Sequence, residues 1–335
     1  MKLLTLAVLL LISVLGHAAP AVKQILLAHA SSQEDLDDTA AVAAEEFRRV
    51  VHEQSGGRLK VEIVPNGVLG GNREMATLTQ KGVIHSSIVT LGGATPLYPP
   101  LNVFFLPYAF SHLDQARKTF DGPFTQKLAS GIESSQLKLL GLVDAPGFHI
   151  LTNSKKPVRS IEEMAGLKIR TIPGAAPLDA MLKAAGAKPV KVSSREEIFA
   201  LASGTIDGQS NPPSVILARG IDSVQRYATL TNHVFLPHVW LFHQATFNEL
   251  SPEDARLVQA AAQQAIQHTH RFAKALEKSE QGQPGLMRRM KVSTLSASET
   301  QKFKNLITPP TEQAIIKQIG DQGREWLDHY KTYLH

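Results

Sequence analysis

Arg170 is the residue whose type and position most invite chemistry. It lies in "GLKIRTIPG" (166–174), where Leu167, Ile169 and Thr171 alternate with Lys168 and Arg170 before a Pro-Gly turn. That alternation predicts a short strand with one face on a core. A guanidinium at the end of such a strand can hold a carboxylate through two parallel hydrogen bonds. The other reading is a solvated cation on the polar face. Asn211, in "IDGQSNPP" (206–213), offers two donors and one acceptor beside an Asp-Gly turn and two prolines. It either meets a ligand or bonds its own turn.

Other chemistries find little support. The chain contains no GxSxG, HExxH, GxGxxG or GxxxxGK[ST] motif. His268 and His270 are two apart in a helical segment and point to different faces, and His238 and His243 sit at odd spacing in an extended one. The 13 histidines therefore show no metal-ligand spacing, and no metal or other cofactor is expected. The net charge of +5 is spread along the chain. The densest basic run, "MRRMK" (287–291), is too short for a nucleic-acid stripe, so nucleic acid is not an expected partner.

These residues must be positioned by an exported α/β protein. Lys2, an apolar run over 3–15 and "GHAAP" form the pattern of a secretory signal peptide, 1–18, cleaved after Ala18. The run is too short to span a bilayer. With no cysteine, neither disulfides nor a lipid on an N-terminal Cys are available, and a bacterial periplasm suits such a chain. Strands at 22–30, 56–64, 83–90 and 137–143 alternate with helices at 35–54, 72–82, 113–120 and 124–135. A second alternating run follows, with strands at 147–153 and 188–192 and a helix at 176–185. Ser160 with Glu163, and Ser194 with Glu197, match the capping-box spacing. Residues 233–247 read as extended. The longest helix, 251–282, opens on Ser251 and Pro252 and is long enough to cross between domains.

The expected fold is thus α/β with parallel sheets: a two-lobe, type II-like periplasmic binding protein with hinge strands and a long lobe-spanning helix. Lobe I takes 22–146 plus 237–276, and lobe II takes 147–236 plus 277–335, with hinges near 144–147 and 234–238. Ligands of open α/β sheets bind outside the carboxyl ends of strands. Export, two lobes and a cleft arginine favour a binding protein. The rival readings are the binding component of an ATP-driven (ABC) importer, or an exported enzyme with a cleft active site.

The motifs "LGGNREM" (69–75), "FFLPYAF" (104–110), "GFHILTNSKKPVRSIEEMAGLKIR" (147–170) and "IDGQSNPP" (206–213), with the long helix after "LSPEDARLV", cover the mature chain. Together they resemble the DctP-type solute-binding subunits of tripartite ATP-independent periplasmic (TRAP) transporters. The resemblance implies a monomeric periplasmic protein that captures a small carboxylate and hands it to a membrane permease. It also implies that Arg170 salt-bridges the ligand carboxylate and that Asn211 is the cleft asparagine. His149 stands where many relatives carry a second cleft arginine, and Ser194 where some carry an aromatic. The histidine points away from a ligand held by two arginines and toward a monocarboxylate. Further lining candidates are His29 at the end of the first strand, Thr90, Gly92 and Gly93 after the third, and His238 with Trp240.

Overall fold

The computed structural model describes residues 23–32 and 38–334. The signal peptide expected at 1–18 and the first residues of the helix expected at 35–54 lie outside them. Among the described residues, eleven strands form two sheets. The first five-stranded sheet holds β1 (Lys23–His29), β2 (Leu59–Val64), β3 (Ser86–Thr90) and β4 (Leu137–Val143). It also takes β10 (His238–His243), in the order β2-β1-β3-β10-β4. The second sheet contains β5 (Ile150–Asn153), β6 (Lys168–Thr171), β7 (Lys188–Lys191), β8 (Gly208–Asn211), β9 (Tyr227–Leu230) and β11 (Lys291–Thr294). Its order is β11-β9-β5-β8-β6-β7.

Both sheets are mixed, which corrects the expectation of parallel sheets. β10 is antiparallel to β3 and β4, and β5 is antiparallel to β8 and β9. These are the two strands that enter a sheet directly after the chain has crossed between sheets. No helical crossover precedes them, so nothing obliges them to run parallel to their neighbours. The crossings are 144–149 and 231–237, which overlap the segments 144–147 and 234–238 expected as hinges. His149 N–H donates to the Val234 carbonyl at 2.9 Å, so the crossings run side by side.

The helix over 252–277 is capped by Ser251, whose side chain accepts from Asp254 N–H, and begins with Pro252. It ends at Glu277, five residues before the expected stop, because Gly282 opens a separate short helix, Gln283–Arg289. Its Val258, Ala261, Ala262, Ala265 and Ile266 pack with Phe47, Val50 and Trp240 into one core on the first sheet. The tail forms helices Ala297–Ile319 and Gly323–Lys331. The second does not stay with lobe II as expected. Trp326 and Tyr330 pack on Phe124, and Tyr330 on Phe104, among the aromatic residues of the first lobe. Burying those rings in the largest apolar cluster outweighs sequence proximity.

Candidate ligand-binding site

Arg170 is buried, with 7% of its surface exposed, which excludes the solvated-cation reading. The reason is local. β6 lies between β7 and β8, and the segment after β7 folds over the guanidinium. Nε donates to the Val192 carbonyl at 3.0 Å and Nη2 to Ser194 Oγ at 3.2 Å. Nη1 stands 3.6 Å from Glu197 Oε1, too far for a good hydrogen bond. Burial pushes the guanidinium below its ordinary range and Glu197 opposes that shift. A buried cation of this kind requires an anionic counterpart.

Glu197, fully buried, supplies part of that charge. Its Oε2 accepts from Arg219 Nη1 at 2.6 Å, and Oε1 accepts from Asn211 Nδ2 at 3.1 Å. Arg219 also donates to the Ser194 carbonyl. One carboxylate thus ties together the two residues expected to meet the ligand. The capping box expected from Ser194 and Glu197 does not form. Ser193 and the exposed Glu196 pair instead, Oγ to Oε2 at 2.6 Å, which leaves Glu197 free to turn inward. Sequence reasoning missed Glu197 and Arg219 as site residues: the first was hidden in a capping motif and the second carried no signal.

His149 lines a cavity of about 20 Å³ together with Arg170, Thr171, Ile172 and Ser210. Its Nδ1 lies 3.2 Å from the Ser210 carbonyl and 3.3 Å from Ser210 Oγ. Ser210 Oγ continues to His233 Nε2 at 3.2 Å, and His233 Nδ1 to Thr231 Oγ1 at 2.8 Å. Burial, with His233 nearby, pushes His149 down to about 3, and burial pushes His233 down to about 4. Both rings are therefore neutral at physiological pH.

The remaining candidates divide. His29 ends β1, and His238 pairs with Thr90 across β10 and β3, so all three sit at one end of the first sheet. Among the described residues the buried Nδ1 atoms of His29 and His238 have no hydrogen-bond partner, and burial lowers both rings. Gly92 faces the second lobe: a Cβ there would meet Ile172 Cγ2, in the cavity wall, at 2.7 Å. Gly93 does not serve a ligand's approach. A Cβ there would fall 2.8 Å from the Asn72 backbone, so the glycine makes room for that helix start, whose Asn72 Oδ1 accepts from Thr90 N–H. Trp240 is likewise not a ligand platform. It is fully buried, edge-on to Phe47 at 5.1 Å, and donates to Ser86 Oγ. The helices 39–55 and 252–277 cover that face of the sheet, and alternation alone does not say which face is covered.

Two contacts span the lobes near the cavity. Gly92 packs on Ile172, and Arg195 Nη2 donates to the Gly67 carbonyl. A space of about 20 Å³ holds a water, whereas an organic acid needs several times more.

The model of bacterial extracellular solute-binding proteins, family 7 (DctP), matches residues 29–318. The chain is 31% identical to the 2,3-diketo-L-gulonate-binding periplasmic protein YiaO of Escherichia coli over 229 residues, 68% of this chain and 69% of that one. A TRAP periplasmic solute-binding protein from a Polaromonas species, solved bound to D-erythronate, superposes with a TM-score of 0.82 at 27% identity, covering 92% of this chain and 98% of that one. One from Sulfurospirillum deleyianum, with bound succinate, gives 0.82 at 25% identity, covering 93% and 99%. With two lobes meeting over a buried arginine, and with these likenesses along nearly its whole length, the chain belongs to the DctP family of extracellular solute-binding proteins.

Proposed function

We propose that the protein is the periplasmic, non-enzymatic solute-binding subunit of a TRAP transporter. It acts as a monomer, closing on a small organic acid and presenting it to a membrane permease. The observation that carries this reading is Arg170: a buried guanidinium in the cavity wall whose Nη1, among the described residues, makes no hydrogen bond and has one nearby carboxylate, Glu197, which it shares with Arg219. A ligand carboxylate satisfies that group. His149, Ser210 and Asn211 stand on the same lobe, and His29, Thr90 and His238 end the facing sheet. The relatives named for diketogulonate and solved with erythronate and succinate all hold organic acids, which supports the same ligand class here.

The test is calorimetry and thermal unfolding of the purified mature protein with a panel of carboxylates. Saturable one-to-one binding with no chemical change of the acid supports the reading. A tight ligand raises apparent stability by about RT ln(1 + [L]/Kd), about 2.7 kcal/mol at a hundredfold excess over Kd. Turnover of a bound acid, or the absence of binding by any carboxylate, overturns it.

A further inference from the structure

Three charged side chains meet beside the cavity at unequal distances. Glu197 is fully buried and, among the described residues, has two cations near it. Arg219 Nη1 stands 2.6 Å from its Oε2, and Arg170 Nη1 stands 3.6 Å from its Oε1. A carboxylate without solvent gains by pairing with every cation in reach. Here it makes a short charge-assisted bond to one guanidinium and none to the other.

The reason lies in what holds each group. Arg219 follows the short helix Pro213–Ala218, and its fork has two acceptors. Nη1 donates to Glu197 Oε2 and Nη2 to the Ser194 carbonyl. Asn211 Nδ2 donates to Glu197 Oε1 at 3.1 Å. Both carboxylate oxygens are thus held from the side away from Arg170. Arg170 is fixed without Glu197, by Nε on the Val192 carbonyl and Nη2 on Ser194 Oγ. Ser194 spaces the two guanidiniums, one on its carbonyl and one on its hydroxyl.

This arrangement leaves Arg170 Nη1 beside the cavity with no hydrogen bond among the described residues. Without Arg219, Arg170 would be the one cation left near Glu197, and the buried carboxylate would swing onto it. An incoming acid would then have to displace Glu197 or lie against a second buried carboxylate, and like charges in a dry site repel strongly.

We propose that Arg219 is a positioning residue for acid binding: it draws Glu197 off Arg170 and so keeps the anchor guanidinium open to the ligand carboxylate. Among the described residues, neither Arg219 nor Glu197 lines the cavity, so Arg219 acts through Glu197 and not on the acid. The inference rests on the carboxylate-binding reading above and adds how the anchor is kept available.

The experiment is a double-mutant cycle on the mature protein near neutral pH, read by calorimetry. The probe is the tightest binder among D-erythronate, D-galactonate, succinate and butanoate. In Arg219→Gln, Kd should rise at least about tenfold. In Glu197→Gln, which removes the competing carboxylate, Kd should fall at least about threefold; Arg219 is 35% exposed there and can turn to water. Adding Arg219→Gln to Glu197→Gln should then change Kd by less than about threefold. That coupling separates the proposal from a distant charge effect, in which loss of Arg219 weakens binding equally in both backgrounds. Urea unfolding checks that each variant is folded. If Arg219→Gln does not fold, Arg219→Lys replaces it in the cycle: it keeps a charge for Glu197 but lacks the second arm to Ser194, and Kd should rise at least about threefold. An Arg219 variant that binds like wild type, an equal loss in both backgrounds, or weaker binding in Glu197→Gln overturns this inference and leaves the carboxylate-binding reading standing. If the wild-type protein binds none of the four acids, both fall together.

Discussion

Arg170→Ala is expected to remove acid binding while the fold survives. The ligand carboxylate would enter a desolvated cleft with no charged partner, and truncating one member of such a buried pair costs about 2–5 kcal/mol. At about 1.4 kcal/mol per tenfold, Kd should rise about 30- to 5,000-fold. The cost to folding is smaller because Glu197 is not orphaned: Arg219 remains at 2.6 Å and Asn211 at 3.1 Å. What is lost is the donor to the Val192 carbonyl and to Ser194 Oγ. The vacated volume joins the neighbouring cavity and admits water to both, so the loss of stability should stay within about 1–3 kcal/mol. Arg170→Lys should also weaken binding, by at least about tenfold, since an ammonium cannot provide the two-bond fork. Calorimetry with the tightest acid gives Kd, and urea unfolding without ligand gives stability. A folded Arg170→Ala protein whose Kd lies within about threefold of wild type would refute the anchor role.

Two further outcomes follow from the same geometry. Burial holds the His149 and His233 rings to about 3 and about 4, below an unfolded value near 6.5. The unfolded chain thus takes up protons first, so these rings' contribution to stability is fully present above about pH 6.5 and is lost as pH falls toward 4. The His149 NMR resonances should accordingly not titrate above about pH 5, and affinity for the bound acid should be flat from about pH 6 to 8.5; a His149 midpoint near 6.5 would contradict the neutral assignment. Arg195→Ala removes the hydrogen bond to the Gly67 carbonyl across the lobes. Ligand-free protein should then scatter X-rays as a more open particle, and affinity should fall about 2- to 10-fold, the worth of one partly buried hydrogen bond; profiles identical to wild type would show that this contact does not bias closure.

Much of this was legible in the sequence, for physical reasons that also mark where legibility stops. Strand alternation and turn residues placed β4 at 137–143 and the strand carrying Arg170. A guanidinium at a strand end announces itself by type. The direction of β5 and β10 was not legible, because it depends on how the chain crosses between sheets and not on local propensity. Glu197 was hidden because Ser193 with Glu196 and Ser194 with Glu197 have the same spacing, and only burial against Arg170 and Arg219 decides which pair caps. Trp240 and Gly93 were misplaced for a related reason. Period-two patterning separates two faces of a strand but does not tell which one a helix covers, and a glycine marks a close approach without naming what approaches.

The most direct test of the central claim is a crystal structure of the protein grown with its tightest-binding acid. The account predicts the ligand enclosed between the two sheets, with its carboxylate oxygens about 2.7–3.0 Å from Arg170 nitrogens. A carboxylate held by other residues, or an acid bound outside the cleft while Arg170 keeps only its protein partners, would contradict it.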